Sequence, residues 1–342
     1  MSTTNKRIIL VMGATGHQGQ ALIRSLLRPS DADFRVLALT RNAKSPAATR
    51  LQQRWPAPNL QLVEADLLDI DSVRRVFTNA ASEGGVWGVF SVVAFPGLGQ
   101  SADGVEKQGK NTADVAHEFN VECFIYSSAE RGGEHHDDDE SSMQPDGVAK
   151  VRVERHVKAL GAKGLKWTIV RPAFFMENYE GFIGWLIAAV FKAGMKPTST
   201  IPLIAVEDIG AVSAAVFRNP AKYRGQILAL VGEVATMTEQ DEVHKAVTGS
   251  ALPSLPWLLA SATLAMNKDT QKLIAHFEQI HTARQNNLCP EVAAQVAAAR
   301  EAHPGMRTFR MWVEERMNGT AEVDERSGWN EISLVKLLMG RS

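Results

Sequence analysis

Short apolar runs alternate with longer amphipathic stretches through the first half of this chain. The runs Arg7–Met12, Arg35–Thr40, Leu60–Glu64, Gly88–Ala94 and Glu122–Ser127 predict strands. Between them Gly19–Leu27, Ser45–Trp55, Ile70–Ala81 and Gly104–Phe119 carry apolar residues at helical spacing. Val89-Phe90-Ser91-Val92-Val93-Ala94 shows no period-2 alternation, as expected of a strand covered on both faces. Repeated β-α-β units of this length predict an α/β fold of Rossmann type, a doubly wound parallel sheet with right-handed crossovers.

Beyond Ser128 the pattern changes. Arg131 to Glu140 is polar and nearly devoid of apolar anchors, which predicts a mobile loop. A helix over Gly147–Leu160, a strand over Lys166–Arg171, a helical stretch over Tyr179–Lys192, a short strand near Ile204–Val206 and a helix from Glu207-Asp208 follow. From Thr238 to Met317 the chain reads as mostly helical. The expected organisation is a nucleotide-binding domain over residues 1–180, with further core segments near 200–232, and a smaller, mostly helical C-terminal region over 181–342.

The first strand ends in Gly13-Ala14-Thr15-Gly16-His17-Gln18-Gly19, and a helical pattern opens at once. Strand, glycine-rich turn and helix in that order form a dinucleotide cradle: small residues let the backbone approach a pyrophosphate, and a helix N-terminus receives its charge. Gly19 must also be small for the helix to lie close to the strand. The second strand ends in Arg41-Asn42, with Lys44 nearby and no carboxylate, which favours a 2′-phosphate and therefore NADP(H) over NAD. Asp66 and Leu67, after the third strand, are placed to flank an adenine.

A formal charge of −1 and no basic stripe argue against direct nucleic-acid binding. Two cysteines build neither a disulfide framework nor a metal site, so a reducing, cytoplasmic setting is expected, with a nuclear one if the protein regulates transcription. Cys123 reads as core, and nothing near Cys289 would activate it. A first strand at Arg7 leaves no room for a cleavable leader. Ala246–Met266 is uncharged and about as long as a bilayer span, yet Gly249, Pro253 and Pro256 suit a broken buried helix better. His135 and His136 beside Asp137–Asp139 have ligand chemistry, but without further ligands at set spacing they read as solvated, and no metal is expected.

Taken together, the 13–19 turn, Thr40-Arg41-Asn42, Gln108-Gly109-Lys110, Phe124–Ser128, Arg171–Asn178 and Val206–Gly210 resemble the NmrA-like family, atypical members of the short-chain dehydrogenase/reductase superfamily. The resemblance runs from about residue 7 to residue 314, with Arg307–Trp312 similar to the family's closing helix. It implies a cleft between a Rossmann domain and a smaller domain. It also implies cofactor contacts from Gly13, Ala14, Thr15, Gly16, His17, Gln18, Gly19, Arg41, Asn42, Lys44, Asp66, Leu67, Val93, Ala94, Phe95, Lys110, Lys150 and the turn Pro172, Ala173, Phe174, Phe175.

In the wider superfamily a Tyr-x-x-x-Lys pair on one helix face supplies a proton and holds the nicotinamide ribose. Here Lys150 is present, but Asp146 stands at the tyrosine position. Lys150 is expected first as a contact to the ribose or nicotinamide, with acid–base catalysis or a plain surface lysine as the alternatives; together with Ser127 and Ser128, after the preceding strand, it makes up the candidate catalytic set. Phe174, Tyr179, Phe182 and Trp185 would line a substrate pocket, or pack as core. The family includes both NADPH-dependent oxidoreductases acting on small molecules and non-catalytic NADP(H) sensors that bind a protein partner, and both readings apply to this chain.

Overall fold

The computed structural model describes residues 6–28, 33–93, 102–135, 137–140, 143–254 and 268–320. Among them the predicted strands form one sheet: β1 (Arg7–Val11), β2 (Phe34–Thr40), β3 (Leu60–Glu64), β4 (Val86–Ser91), β5 (Cys123–Ser127), β6 (Trp167–Pro172) and a later strand, β9 (Ile227–Leu230). Their order is β3-β2-β1-β4-β5-β6-β9, and every pairing is parallel. The order reverses between β1 and β4, which makes the crevice beyond their C-terminal ends the place where such sheets bind ligands.

Helices cover both faces because the strands alternate between two apolar faces. Ile9 and Val11 face α1 (His17–Leu26) and α7 (Val206–Arg218). Ile8, Leu10 and Met12 face α3 (Ile70–Ala80), α4 (Asp103–Glu118) and α5 (Pro145–Gly161). The remaining helix of this half, α2 (Pro46–Arg54), is capped by the Ser45 side chain and runs beside β3.

A second, three-stranded sheet has the order β10-β8-β7, from Glu233–Thr236, Thr200–Ile204 and Phe174–Phe175. Around it pack α6 (Gly181–Gly194), α9 (Met237–Thr248), α10 (Lys268–Gln285) and α12 (Phe309–Met317). The short α8 (Pro220–Tyr223) leads into β9, and α11 (Glu291–Ala302) rests on that strand.

Three expectations need correction. The short strand lies at Thr200–Ile204 rather than Ile204–Val206, because Val206 already opens α7. Pro202 is tolerated inside it because β7 pairs only Leu203 and Ile204, leaving no strand partner for Pro202 on that side. A 3-10 turn over Met176–Tyr179 precedes α6, so the helix predicted from Tyr179 starts at Gly181. The 131–140 segment is also not simply a solvated loop, as its ion pairs below explain. Within the uncharged 246–266 stretch, α9 ends at Thr248 and Gly249 adopts the left-handed conformation (φ +78°). No helix among the described residues is long and apolar enough to cross a membrane; residues 255–266 of that stretch lie outside them.

α1 and α7 touch backbone to backbone. A methyl group at Gly210 would sit 2.4 Å from the Ala21 carbonyl carbon and 2.5 Å from its oxygen. The Arg24–Glu207 ion pair joins the same two helices. Gly210→Ala is therefore expected to force the helices apart and to lower unfolding free energy by about 1–3 kcal/mol. Urea titration followed by circular dichroism would register this as a lower midpoint at unchanged slope.

Candidate functional site

The glycine turn follows β1 directly. Gly13 has φ +61°, and a methyl group there would lie 2.9 Å from a Val92 methyl at the end of β4. The Gly16 N–H donates to the Gly13 carbonyl at 2.9 Å, curling the turn into α1. Gly19 is the tightest position: a methyl group would sit 2.3 Å from the Gly13 oxygen and 2.7 Å from the Ala14 Cα. The three nearest atoms to such a methyl all belong to the turn backbone, so the turn itself, rather than the strand, demands the small residue. The first turn of α1 has neither a side-chain cap nor an acidic residue, so its N–H end remains attractive to an anion.

Ser127, at the end of β5, donates its hydroxyl to Gln18 Oε1 at 2.7 Å. That bond ties the glycine turn to a strand end on the far side of β4, and it occupies the hydroxyl expected to orient a substrate. Ser128 differs: its Oγ is buried and has no hydrogen-bond partner among the described residues.

At the β2 end Arg41, Asn42 and Lys44 are exposed, and Asn42 Oδ1 accepts from the Lys44 N–H at 2.8 Å. Strand register adds a carboxylate that the local sequence hides. Glu64 of β3 pairs with Thr40 and accepts from the Ala43 N–H at 2.6 Å. Asp66 is exposed and caps its own turn through Leu68 N, whereas Leu67 is buried, its carbonyl held by Asn111. Val93 is half-buried and packs against Ala102, Val105 and Ala149; Ala94 and Phe95 lie outside the described residues. Lys110 is half-buried and paired with Glu106 at 2.5 Å.

Asp146 and Lys150 share a face of α5, 3.9 Å apart and both largely shielded from solvent. Burial pushes the Lys150 ammonium below its ordinary range, with the Asp146 carboxylate opposing that shift. One turn further along α5, Glu154 is buried and caught between two arginines. Arg131 grips it with two bonds, at 2.9 and 3.0 Å, and Arg171 with two more, at 3.1 and 2.5 Å. Arg131 also holds Asp137 bidentately at 2.7 Å, and Arg171 reaches Glu134 at 2.6 Å. The supposed solvated loop is therefore stapled to α5 and β6 by charge. Burial pushes the Glu154 carboxyl up, yet the two guanidiniums outweigh it and bring it down to about 2.

Arg171 immediately precedes the Pro172–Phe175 turn, so the same array positions that turn. The predicted aromatic cluster divides here. Phe174 packs with Tyr179, Phe191 and Phe277 at 5.4–5.6 Å, and the Tyr179 hydroxyl meets Met237 Sδ at 3.7 Å. Phe175 packs against the large-sheet core. Phe182 and Trp185 instead stack on each other at the surface, 54% and 39% exposed, apart from Tyr179.

Two residues escaped the sequence reading. Glu177 accepts from Val206 N at 3.1 Å, Trp312 Nε1 at 3.0 Å and Arg316 at 3.1 Å, clamping the turn to α7 and to α12. Burial pushes its carboxyl up to about 7, against the Arg316 charge. His276, on α10, is half-buried, its ring 5.8 Å from Phe277. One helical turn on, Ile280 covers Gly132 so closely that a methyl there would lie 3.3 Å from the Ile280 Cα. Burial pushes the His276 ring below its ordinary value; Asp146 opposes this, while Arg131 and Lys150 reinforce it. Neither residue carries a local signal, because each meets its partners only across the fold. Cys123 is buried in β5 as expected, and burial also raises the Cys289 thiol.

A model of the NmrA-like family matches residues 5–287. The chain belongs to the NmrA-like family. Among curated relatives, the NmrA-like family domain-containing oxidoreductase cpsB of Aspergillus campestris is 25% identical over 300 residues, covering 81% of this chain and 84% of that protein. The corresponding oxidoreductase ptmS of Penicillium ochrochloron is 24% identical over 347 residues, covering 91% and 98%. The fold of this family member is similar to that of NmrA, a negative transcriptional regulator, in complex with NADP (TM-score 0.64, 18% identity, 96% and 100% covered). It is also similar to an NADPH-dependent quinone oxidoreductase from Escherichia coli (TM-score 0.62, 18% identity, 91% and 100% covered).

Removing the charge of Glu154 strands two buried guanidiniums, so Glu154→Gln should cost about 3–5 kcal/mol in urea unfolding at pH 7. The sign follows from a folded-state pKa depressed from 4.5 to about 2. The contribution is complete above pH 4.5 and is lost as pH falls toward 2. The variant should therefore lack that segment of the acid-unfolding curve.

Proposed function

We propose that this protein is an NADP(H)-dependent oxidoreductase acting on a small molecule between the two sheets. The observation that carries the reading is the bond from Ser127 to Gln18, which joins the glycine turn to the C-terminal end of β5; Ser128 follows on that strand end, and the Asp146–Lys150 pair lies on the next helix, α5. Oxidoreductase relatives and NADP-bound structures of the same fold support it. When bound, the cofactor supplies hydride.

In this reading Gly13, Gly16 and Gly19 admit the pyrophosphate to the backbone at the start of α1. Arg41 and Lys44 receive the 2′-phosphate, since Glu64, the carboxylate beside them, is already engaged by a backbone N–H. Lys150, its pKa lowered by burial, holds the nicotinamide ribose, and the Pro172–Phe175 turn backs the ring. Ser128 offers a buried hydroxyl to the substrate. The division near residue 180 between a cofactor part and a substrate part belongs to the same proposal.

A second reading is favoured by Asp146 at the tyrosine position: an NADP(H) sensor that binds a protein partner without turnover. Under that reading the partner and the cofactor must alter each other's affinity equally.

Calorimetric titration tests the first reading. NADPH should bind at least about tenfold more tightly than NADH, and Arg41→Ala should remove most of that preference, as expected for loss of one guanidinium–phosphate pair. Lys150→Ala should reduce NADPH consumption with carbonyl or quinone substrates more than it weakens binding. Undiminished turnover in that variant would refute the role given to Lys150.

A further inference from the structure

We propose that His276 is the proton donor of this cleft, presented by α10 to the substrate opposite Asp146 and Lys150. The inference rests on the oxidoreductase reading and supplies what that reading lacks, an acid where the tyrosine is missing. The Asp146 carboxyl faces the Lys150 ammonium across 3.9 Å. The Ser127 hydroxyl is committed to Gln18, and that of Tyr179 is turned to Met237 within the aromatic cluster. An imidazole is the side chain best suited to give up a proton near neutrality.

The placement of α10 makes His276 available. Residues four apart share a helix face, and the Ile280 Cα lies against Gly132, in the segment that leaves β5 after Ser128. The next residue on α10, Phe277, meets Phe174 of the cofactor turn edge-on at 5.6 Å. The helix is thus seated on the β5 exit on one side and on the β6 exit on the other. His276 lies on the Ile280 side of that seat, half-buried, within the electrostatic reach of Asp146, Arg131 and Lys150. Lys272 is the charged neighbour one turn back on its own helix.

The step balances simply. As hydride and its two electrons reach the carbonyl carbon, the C=O π pair moves to oxygen. That oxygen takes the N–H proton of the His276 imidazolium, leaving a neutral ring that recovers a proton from water. Asp146 favours the charged ring, so it acts on the donor as a positioning and tuning residue. Because burial holds the ring below its usual range, the active imidazolium disappears as pH rises, and turnover should fall with it.

The test uses the full chain in two measurements. The first is a histidine-ring NMR titration without cofactor, with the His276 signal assigned by its loss in His276→Gln. Asp146→Asn should move that titration to lower pH, and Lys150→Met to higher pH. The second is NADPH oxidation with a panel of quinones and aromatic aldehydes from pH 5 to 9, alongside calorimetric NADPH affinity. His276→Gln should lower kcat about 100-fold with affinity held within about threefold. If that variant is poorly folded, Asp146→Asn carries the test, since its rate profile must shift to lower pH in step with the NMR titration. Wild-type kcat and pH profile in His276→Gln would overturn the inference alone, as would a His276 titration indifferent to both neighbours. Absence of turnover in wild-type protein that binds NADPH would overturn the oxidoreductase reading itself, and this inference with it.

Discussion

Glu154, buried between Arg131 and Arg171, is the constraint on which the site depends. A carboxylate in that position is tolerable only because four hydrogen bonds and two cations meet it, and the cations in turn need it beside their further partners Asp137 and Glu134. Each partner comes from a different element. Arg131 belongs to the segment leaving β5, Arg171 to the C-terminal end of β6, and Glu154 to α5 one turn beyond Lys150. Locking the three together sets the distances among the serine edge, the lysine and the Pro172–Phe175 turn without asking those residues to hold themselves in place.

The polar edge so created contrasts with the backbone-dominated edge beside it. At the glycine turn the geometry comes from steric closeness: Gly19 against Gly13 and Ala14, and Gly13 against Val92. Gln18 and Ser127 join the two regimes. One half of the crevice is thus shaped by the absence of side chains and suits a ligand that needs backbone N–H groups. The other is lined by titratable side chains whose charges act on one another. A dinucleotide lying across both would present its phosphates to the first and its reactive ring to the second.

Most of the large sheet was legible because its information is local. Apolar strands, helix periodicity, the glycine spacing and the Asp146–Lys150 face each lie within one element. The four-residue strands β9 and β10 were not resolved individually, since so short an apolar run among turn residues has no periodicity to read. The 131–140 segment was misread for a more instructive reason. Its charges look solvated in one dimension, and only the fold brings Glu154 and Arg171 to meet them. The same holds for Glu64, which reaches the β2 end through strand register, and for Glu177 and His276, whose partners lie far along the chain. Tyr179 reads from the sequence as pocket lining or core, and its packing follows from Phe174 and Phe309, whose rings lie 5.5 and 5.8 Å from its own.

Glu177 has a consequence for the order in which a newly made chain reaches its working form. The turn it anchors is complete by residue 179, yet the indole and guanidinium that clamp it belong to Trp312 and Arg316. Asp208 likewise waits for Arg307, which it accepts at 2.7 Å through the backbone. At synthesis rates of about 5–20 residues per second, the parallel sheet can assemble seconds before these latches arrive. During that interval the nascent protein would hold a finished nucleotide cradle beside an unfinished substrate wall. Early cofactor capture would then precede, and stabilise, the final closure of the C-terminal helices.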